Sequence, residues 1–237
     1  MVLIVIGILV LIAGYALQRS PEYGRFGKIV RSIAAIFILA GVLSKCFIQI
    51  NAGQIGVKSL FGKVQNDVLS SGLHFINPFV EVERLDIKTQ NYTMSGIHDE
   101  GQKSGDDAIR VLTSDGLEVT IDLTVLYKLL PSEAPRLVRE TGIDYTDKIV
   151  RPLTRTKIRD NSVYYEAVSL YSTKRDEFQQ RIFKSIEDDF KKRGLILEQL
   201  LVRNITLPQS VKATIEQKIN AEQDAQKMQF VLQKEKQ

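Results

Sequence analysis

The chain has 237 residues, with 32 basic side chains against 28 acidic ones, two histidines, one cysteine and no tryptophan. A single cysteine excludes an intramolecular disulfide and a thiolate metal cluster, and two histidines leave few ways to build a transition-metal site. The formal net charge of +4 is dispersed, with no basic stretch interleaved with aromatics, so no nucleic-acid partner is expected.

Met1 to Leu17 carries no charge. As a helix it would span about 25 Å, just short of a ~30 Å hydrocarbon core. It starts directly in the apolar run, without the positive n-region of a cleaved signal peptide. A second apolar run, Ser32 to Ile50, is charged only at Lys45, whose long stem can snorkel to an interface. Two such runs in tandem, neither with a polar face, predict a membrane anchor over residues 1–50, with Ile4, Ile6, Leu9, Leu11, Ile36, Phe37, Leu39 and Val42 as anchor positions. Arg19, Arg25, Lys28 and Arg31 lie between the runs against one acid, Glu22. Basic residues in short loops stay cytoplasmic, so two spans would put the C-terminal body outside the cytoplasm. A re-entrant hairpin would leave the body on the cytoplasmic face. Two anchors without a transit peptide suggest a bacterial inner membrane.

The rest of the chain reads as an α+β body. From Asn51 to Pro78, short strands are punctuated by glycine: Ile55 and Val57 alternate, Gly62 and Lys63 offer a turn, and Gly72 and Pro78 mark further breaks. Val80 and Val82 alternate but Leu85 and Ile87 sit on the other parity, which predicts a β-bulge near Glu83 or Arg84. Residues 96–107 are polar and glycine-rich and read as a mobile loop. Leu117, Val119, Ile121, Leu123, Val125, Tyr127 and Leu129 form an unbroken period-2 pattern after the turn signal Asp115-Gly116, with Ile109 to Leu112 as the partner strand. One face of that strand is expected on a core and the other in water.

After Pro131 the period becomes helical. Ser132 is expected to cap a short helix ending before Gly142, and Asp144 to cap the next, which Pro152 should kink or split. Ser172 is expected to cap a longer helix with the stripe Phe178, Ile182, Phe183, Ile186 and Phe190, closed by Lys191, Lys192, Arg193 and Gly194. Leu195 to Leu207 is apolar on both parities, which predicts a strand covered on both sides. From Gln209 the composition turns to Ala, Glu, Gln and Lys. Val211, Ile215, Ala221, Ala225, Met228 and Leu232 can line one narrow, imperfect heptad stripe. So polar a helix needs neighbours, so self-association is expected, and the pattern stops in mid-course at Gln237 as though more helix follows.

Chemistry is not expected. His74 sits between apolar residues and reads as a packed or hydrogen-bonded histidine, and His98 lies in the polar loop without a second fixed nitrogen. Asp106-Asp107 and Glu187-Asp188-Asp189 are neighbours whose side chains point apart, not a matched acid and base. Cys46, at the edge of the second apolar run, reads as an inert buried thiol, with acylation as the alternative. The sequons at Asn91 and Asn204 fall in strands. No phosphate-binding glycine loop, GxSxG or HExxH occurs. No catalytic, cofactor-binding or metal-binding residue is therefore expected.

The pieces NAGQIGVKSLFGKV, SGLHFINPF, LTSDGLEVTIDLTVLYKL, IVRPLTRTKIRD and RGLILEQLLVRNITLP, in that order, resemble the SPFH/band-7 family of stomatin, prohibitin, flotillin and the bacterial regulators of the membrane AAA protease. The second half is most similar to the prohibitin branch. Gly53, Gly56, Gly62, Gly72, Pro78, Asp115 and Gly116 carry the motif. The two N-terminal runs depart from the single anchor of prohibitins. The resemblance implies a body of two lobes, 51–110 and 111–208, and a laterally associating coiled-coil-like helix from 209 to 237. It also implies large rings or cages that enclose a membrane patch and hold or regulate an AAA protease, without catalysis.

Overall fold

A computed structural model describes residues 2–18, 24–97, 101, 105–209, 211–214, 217 and 227–228. The chain packs as two units: Met1–Ile87 with Pro131–Ile143, and Lys88–Leu130 with Asp144–Gln237.

The first unit begins with two helices, α1 (Val2–Gln18) and α2 (Gly24–Cys46), packed side by side. Small residues let them approach. A Cβ on Gly7 would lie 2.6 Å from Ile38 Cγ1, and one on Gly14 would lie 3.0 Å from Arg31 Cγ. The pairing of 7 with 38 and 14 with 31 makes the helices antiparallel. Gly27, Ala34 and Gly41 recur at heptad spacing on the buried line of α2, the close-packing arrangement used where apolar burial alone cannot hold helices together. The helix α2 begins at Gly24 rather than at Ser32, so the basic stretch expected as a loop is largely helical. It ends at Cys46, because Phe47–Ile50 leaves the helix to form strand β1.

Strands β2 (Gln54–Leu60), β3 (Lys63–Leu69), β4 (Gly72–Phe75) and β5 (Val80–Asp86) follow. The pair β1–β4 is antiparallel, and β3-β2-β5 forms a separate antiparallel sheet. Helix α3 (Ala134–Glu140) packs on β3 and β2 and buries Ala134 and Leu137. The bulge expected near Glu83 is absent: β5 pairs with β2 in unbroken register from Gln54↔Asp86 to Leu60↔Val80. The parity change instead reflects a sheet used on both faces. Leu85 lies opposite buried Ile55, whereas Val82 and Ile50 crowd the other face at Gly56. A register shift does occur, but between Val57 and Ser59 in the β2–β3 pair.

The second unit is built on β8 (Glu118–Leu129). Strands β6 (Gln90–Met94) and β7 (Ile109–Leu112) pair along successive stretches of one edge, and β9 (Leu195–Thr206) pairs along the other. Helices α4 (Arg151–Ser162), α5 (Ala167–Tyr171) and α6 (Arg175–Lys192) complete it. The odd-numbered apolar residues of β8 from Val119 to Leu129 are buried as expected. They share a core with Phe178, Ile182, Ile186 and Phe190 of α6, none of which is exposed at all. The even face is not open to water at its centre: Asp122 and Thr124 are buried, the first accepting the Gly96 amide at 3.0 Å and the second paired with the Thr93 hydroxyl at 2.9 Å.

Strand β9 corrects the expectation of two-sided cover. Its pairing with β8 slips twice, leaving Glu198 and Arg203 as extra residues. Each slip turns the following apolar set back toward the core, so Leu195 and Leu197, then Leu200 and Val202, then Ile205 are all buried on one side. The expected caps also differ. No side chain caps α3; a short 3-10 turn over Pro131–Glu133 leads into it. A single π-turn over Thr146–Val150 precedes α4, and Pro152 sits in the first turn of α4, where its missing N–H costs nothing. Ser172 closes α5, donating its hydroxyl to the Val168 carbonyl at 2.8 Å, and α6 starts after Lys174.

Candidate membrane-contact surface

Within α2, the window Gly27–Cys46 has a mean hydropathy of 1.9, is long and apolar enough to cross a bilayer, and has only 17% of its residues buried. The described apolar part of α1, Val5–Tyr15, is shorter. Ile6, Leu9, Ile36, Phe37, Leu39 and Val42 are exposed and Leu11 is half-buried; the Ile4 side chain lies outside the described residues. A polar solvent does not favour so much bare apolar helix, whereas lipid does. Lys28 is exposed, and Arg31 stacks its guanidinium over the Tyr15 ring at 5.3 Å. Arg19 and the Arg25 side chain lie outside the described residues.

A rim of aromatic side chains continues this surface at the C-terminal end of α2. Phe47 and Phe75 meet edge to face at 5.4 Å, and Phe61 and Phe79 lie 6.1 Å apart, with Leu73 also exposed. Phe61 is 85% exposed and has φ +49, the left-handed region that a bulky side chain avoids. With Gly62 at φ +82 it forms the two-residue turn between β2 and β3, a place where asparagine-glycine is preferred. A phenylalanine that is both strained and exposed is a costly choice for folding alone, which points to a contact outside the chain. Several motif residues hold this rim: Gly72 opens β4 opposite Ile50, Pro78 lies in the turn where the Phe79 amide donates to Asn77 Oδ1 at 3.0 Å, and Gly53 turns β1 into β2. Gly56 is buried in β2, where a Cβ would lie 2.7 Å from Val82 Cγ1.

In the second unit the polar clusters are structural in geometry. Asp107 is buried and receives Arg151 through Nε at 3.3 Å and through a second, shorter contact, and Arg155 at 3.1 Å. Arg155 also donates to the Asp107 and Ala108 carbonyls at 2.7 and 3.0 Å. This ordered anchor ends the stretch read as a mobile loop. Burial, reinforced by the Asp107 carboxylate, pushes the Tyr92 phenol up to about 12, and burial does the same to Tyr127. Asp115, in the turn before β8, takes the Thr113 hydroxyl and the Ala167 amide. Burial works to raise its carboxyl, but these donors outweigh it and hold it below the usual carboxylate range. Gly116 completes the turn at φ +76. His74 is tied to the Ser70 carbonyl at 2.7 Å, His98 lies outside the described residues, and Asp189 pairs with Lys157 at 2.9 Å.

Of the expected association stripe, Val211 is half-buried in the helical residues 211–214 and Met228 is 66% exposed; Ile215, Ala221, Ala225 and Leu232 lie outside the described residues.

The family model described as "SPFH domain / Band 7 family" matches residues 48–236. The chain belongs to this family. Its curated relatives include Prohibitin 1 of Drosophila melanogaster, 24% identical over 93% of this chain and 74% of that protein, and Prohibitin 1 of Mus musculus, 24% identical over 94% and 75%. The Mitochondrial prohibitin complex protein 1 of Caenorhabditis elegans is 23% identical over 94% and 75%. The SPFH match begins at Ile48, inside β1, so it takes in most of the aromatic rim and leaves out α1 and α2. Sequence reasoning missed the rim. Its signal was present as aromatics placed directly beside the turn residues Gly62 and Pro78, where a core aromatic is out of place.

Proposed function

We propose that this member of the SPFH family is a non-enzymatic membrane scaffold. Many copies associate into a large ring or cage that organises a membrane microdomain and holds or regulates a membrane AAA protease. The observation that carries the membrane part is the continuous exposed apolar surface of α1, α2 and the aromatic rim. Support for assembly comes from family membership and from a relative whose own name places it in a complex. In this reading residues 1–50 anchor the chain, the body supplies two lobes whose division differs from the expected 51–110 and 111–208, since 88–110 pack with the second unit and 131–143 with the first, and 209–237 begin the association helix through Val211, Ile215, Ala221, Ala225, Met228 and Leu232. The basic residues Arg19, Arg25, Lys28 and Arg31 stay in the cytoplasm of a bacterium, which places the body outside its inner membrane. Weak pair contacts suffice, because repetition around a closed array multiplies them.

The test is single-particle electron microscopy of the detergent-extracted protein, full length and cut after Pro208. Large closed particles that disappear on truncation are expected. Small uniform particles in both cases would replace the ring with a monomeric or dimeric adaptor that recruits one partner. Protease added to right-way-out spheroplasts reports the side: digestion of the body is expected, and an undigested body would place it in the cytoplasm and reverse the proposed orientation.

A further inference from the structure

Beside the aromatic rim lies an open groove of about 740 Å³, walled by the last turn of α2, by β1, by the turns at Phe61 and Phe79, and by the outer edge of β5. That volume falls in the range of small-molecule sites, ~300–1,000 Å³. Phe47, Phe61 and Phe79, exposed by 54, 85 and 67%, supply its apolar wall. Three charged residues also line it: Lys45, Glu81 and Glu83. All three are exposed, and among the described residues none of their side chains makes an ion pair or hydrogen bond. Glu81 and Glu83 are two residues apart on one strand, so they project on the same side roughly 7 Å apart.

We propose that this groove binds the headgroup of an aminophospholipid, phosphatidylethanolamine being the simplest. The reading rests on the membrane placement of α2 above. Lys45 meets the phosphate as a point charge, and the primary ammonium donates N–H hydrogen bonds to the two carboxylates. The acyl chains lie along the phenylalanines, at the depth where aromatic side chains and snorkelling lysines gather. The charge order explains the selectivity. Phosphatidylcholine carries its positive charge on a nitrogen with no proton to donate. Phosphatidylglycerol satisfies Lys45 but brings no cation to Glu81 and Glu83, which repel it.

The full-length protein is assembled into nanodiscs of equimolar dioleoyl phosphatidylethanolamine, phosphatidylcholine and phosphatidylglycerol, then transferred to mild detergent, and the retained lipid is identified by native mass spectrometry. Retention of phosphatidylethanolamine over either competitor by about tenfold is expected, with the preference reduced to near unity by Glu81→Gln with Glu83→Gln. Both positions are exposed, so the fold is not at stake, and circular dichroism of the variant checks it. Equal retention of phosphatidylcholine, a preference for phosphatidylglycerol, or an unchanged preference in the double variant would each overturn the assignment. If the protein inserts into the discs but is blind to headgroup, only this inference fails. If it does not insert, the membrane reading fails with it.

Discussion

Replacing Asp107 by asparagine keeps the shape of the side chain and removes its charge. The carboxylate is 5% exposed and faces two guanidiniums whose side chains are 27 and 26% exposed. Removing one partner of a buried ion pair costs about 3–5 kcal/mol when the other charge is left dry. Here both arginines keep about a quarter of their surface in water and can rehydrate, so the expected loss is nearer 2–3 kcal/mol. Arg155 also keeps its two backbone carbonyls, which limits the damage to the carboxylate contacts themselves. For a chain of this size the loss corresponds to a melting temperature lower by about 5–10 °C. Thermal unfolding of the full chain in detergent micelles, followed by near-ultraviolet circular dichroism, reads it directly. Adding Arg151→Met should recover part of the loss, because the unpaired guanidinium is then gone. A shift below about 1 °C in Asp107→Asn would refute the claim that this carboxylate orders the segment between β6 and β7.

Phe61→Asn should stabilise the β2–β3 turn by a few tenths of a kcal/mol, since asparagine tolerates the left-handed region, while weakening flotation of the protein with lipid vesicles. Equal flotation would remove Phe61 from the membrane surface. Gly56→Ala should cost about 1–3 kcal/mol through crowding against Val82 and Ile50, with Val82→Ala restoring most of it in urea titrations. Asp115 has a depressed carboxyl, so its contribution is complete above the unfolded carboxylate range and is lost as pH falls below about 4. Asp115→Asn should therefore be less stable than wild type at pH 7 and lose less between pH 7 and pH 3; parallel acid losses would refute the assignment.

The parts of the fold that were legible are those where one period runs unbroken. The odd-numbered run of β8 and the stripe of α6 each state which face is buried, and the Asp115-Gly116 turn states where the chain reverses. Strand β9 was read wrongly because apolar residues on both parities arise equally from cover on two faces and from a strand that slips its register. Only the pairing with β8 separates the two. Leu85 posed the same ambiguity with the opposite outcome, continuous register and a sheet used on both sides. The Asp107 cluster was invisible in a polar, glycine-rich stretch because its two arginines come from α4, far along the chain. The seam of Gly7, Gly14, Gly27, Ala34 and Gly41 is not legible in the sequence, which does not state which helix faces which.

The first unit is not a continuous piece of chain. Its sheet is finished by Ile87, but the helix that covers part of β2 and β3 arrives only with residues 131–143. At synthesis rates of roughly 5–20 residues per second, that interval lasts about 3–11 s. During it the α1–α2 pair has already left the ribosome, while the sheet beside it waits with an uncovered apolar side. On the proposed membrane reading, insertion of those helices precedes completion of the first unit, and the two events are ordered in time. Slowing translation between β6 and β8 should then lengthen the period in which the nascent chain is captured by chaperones.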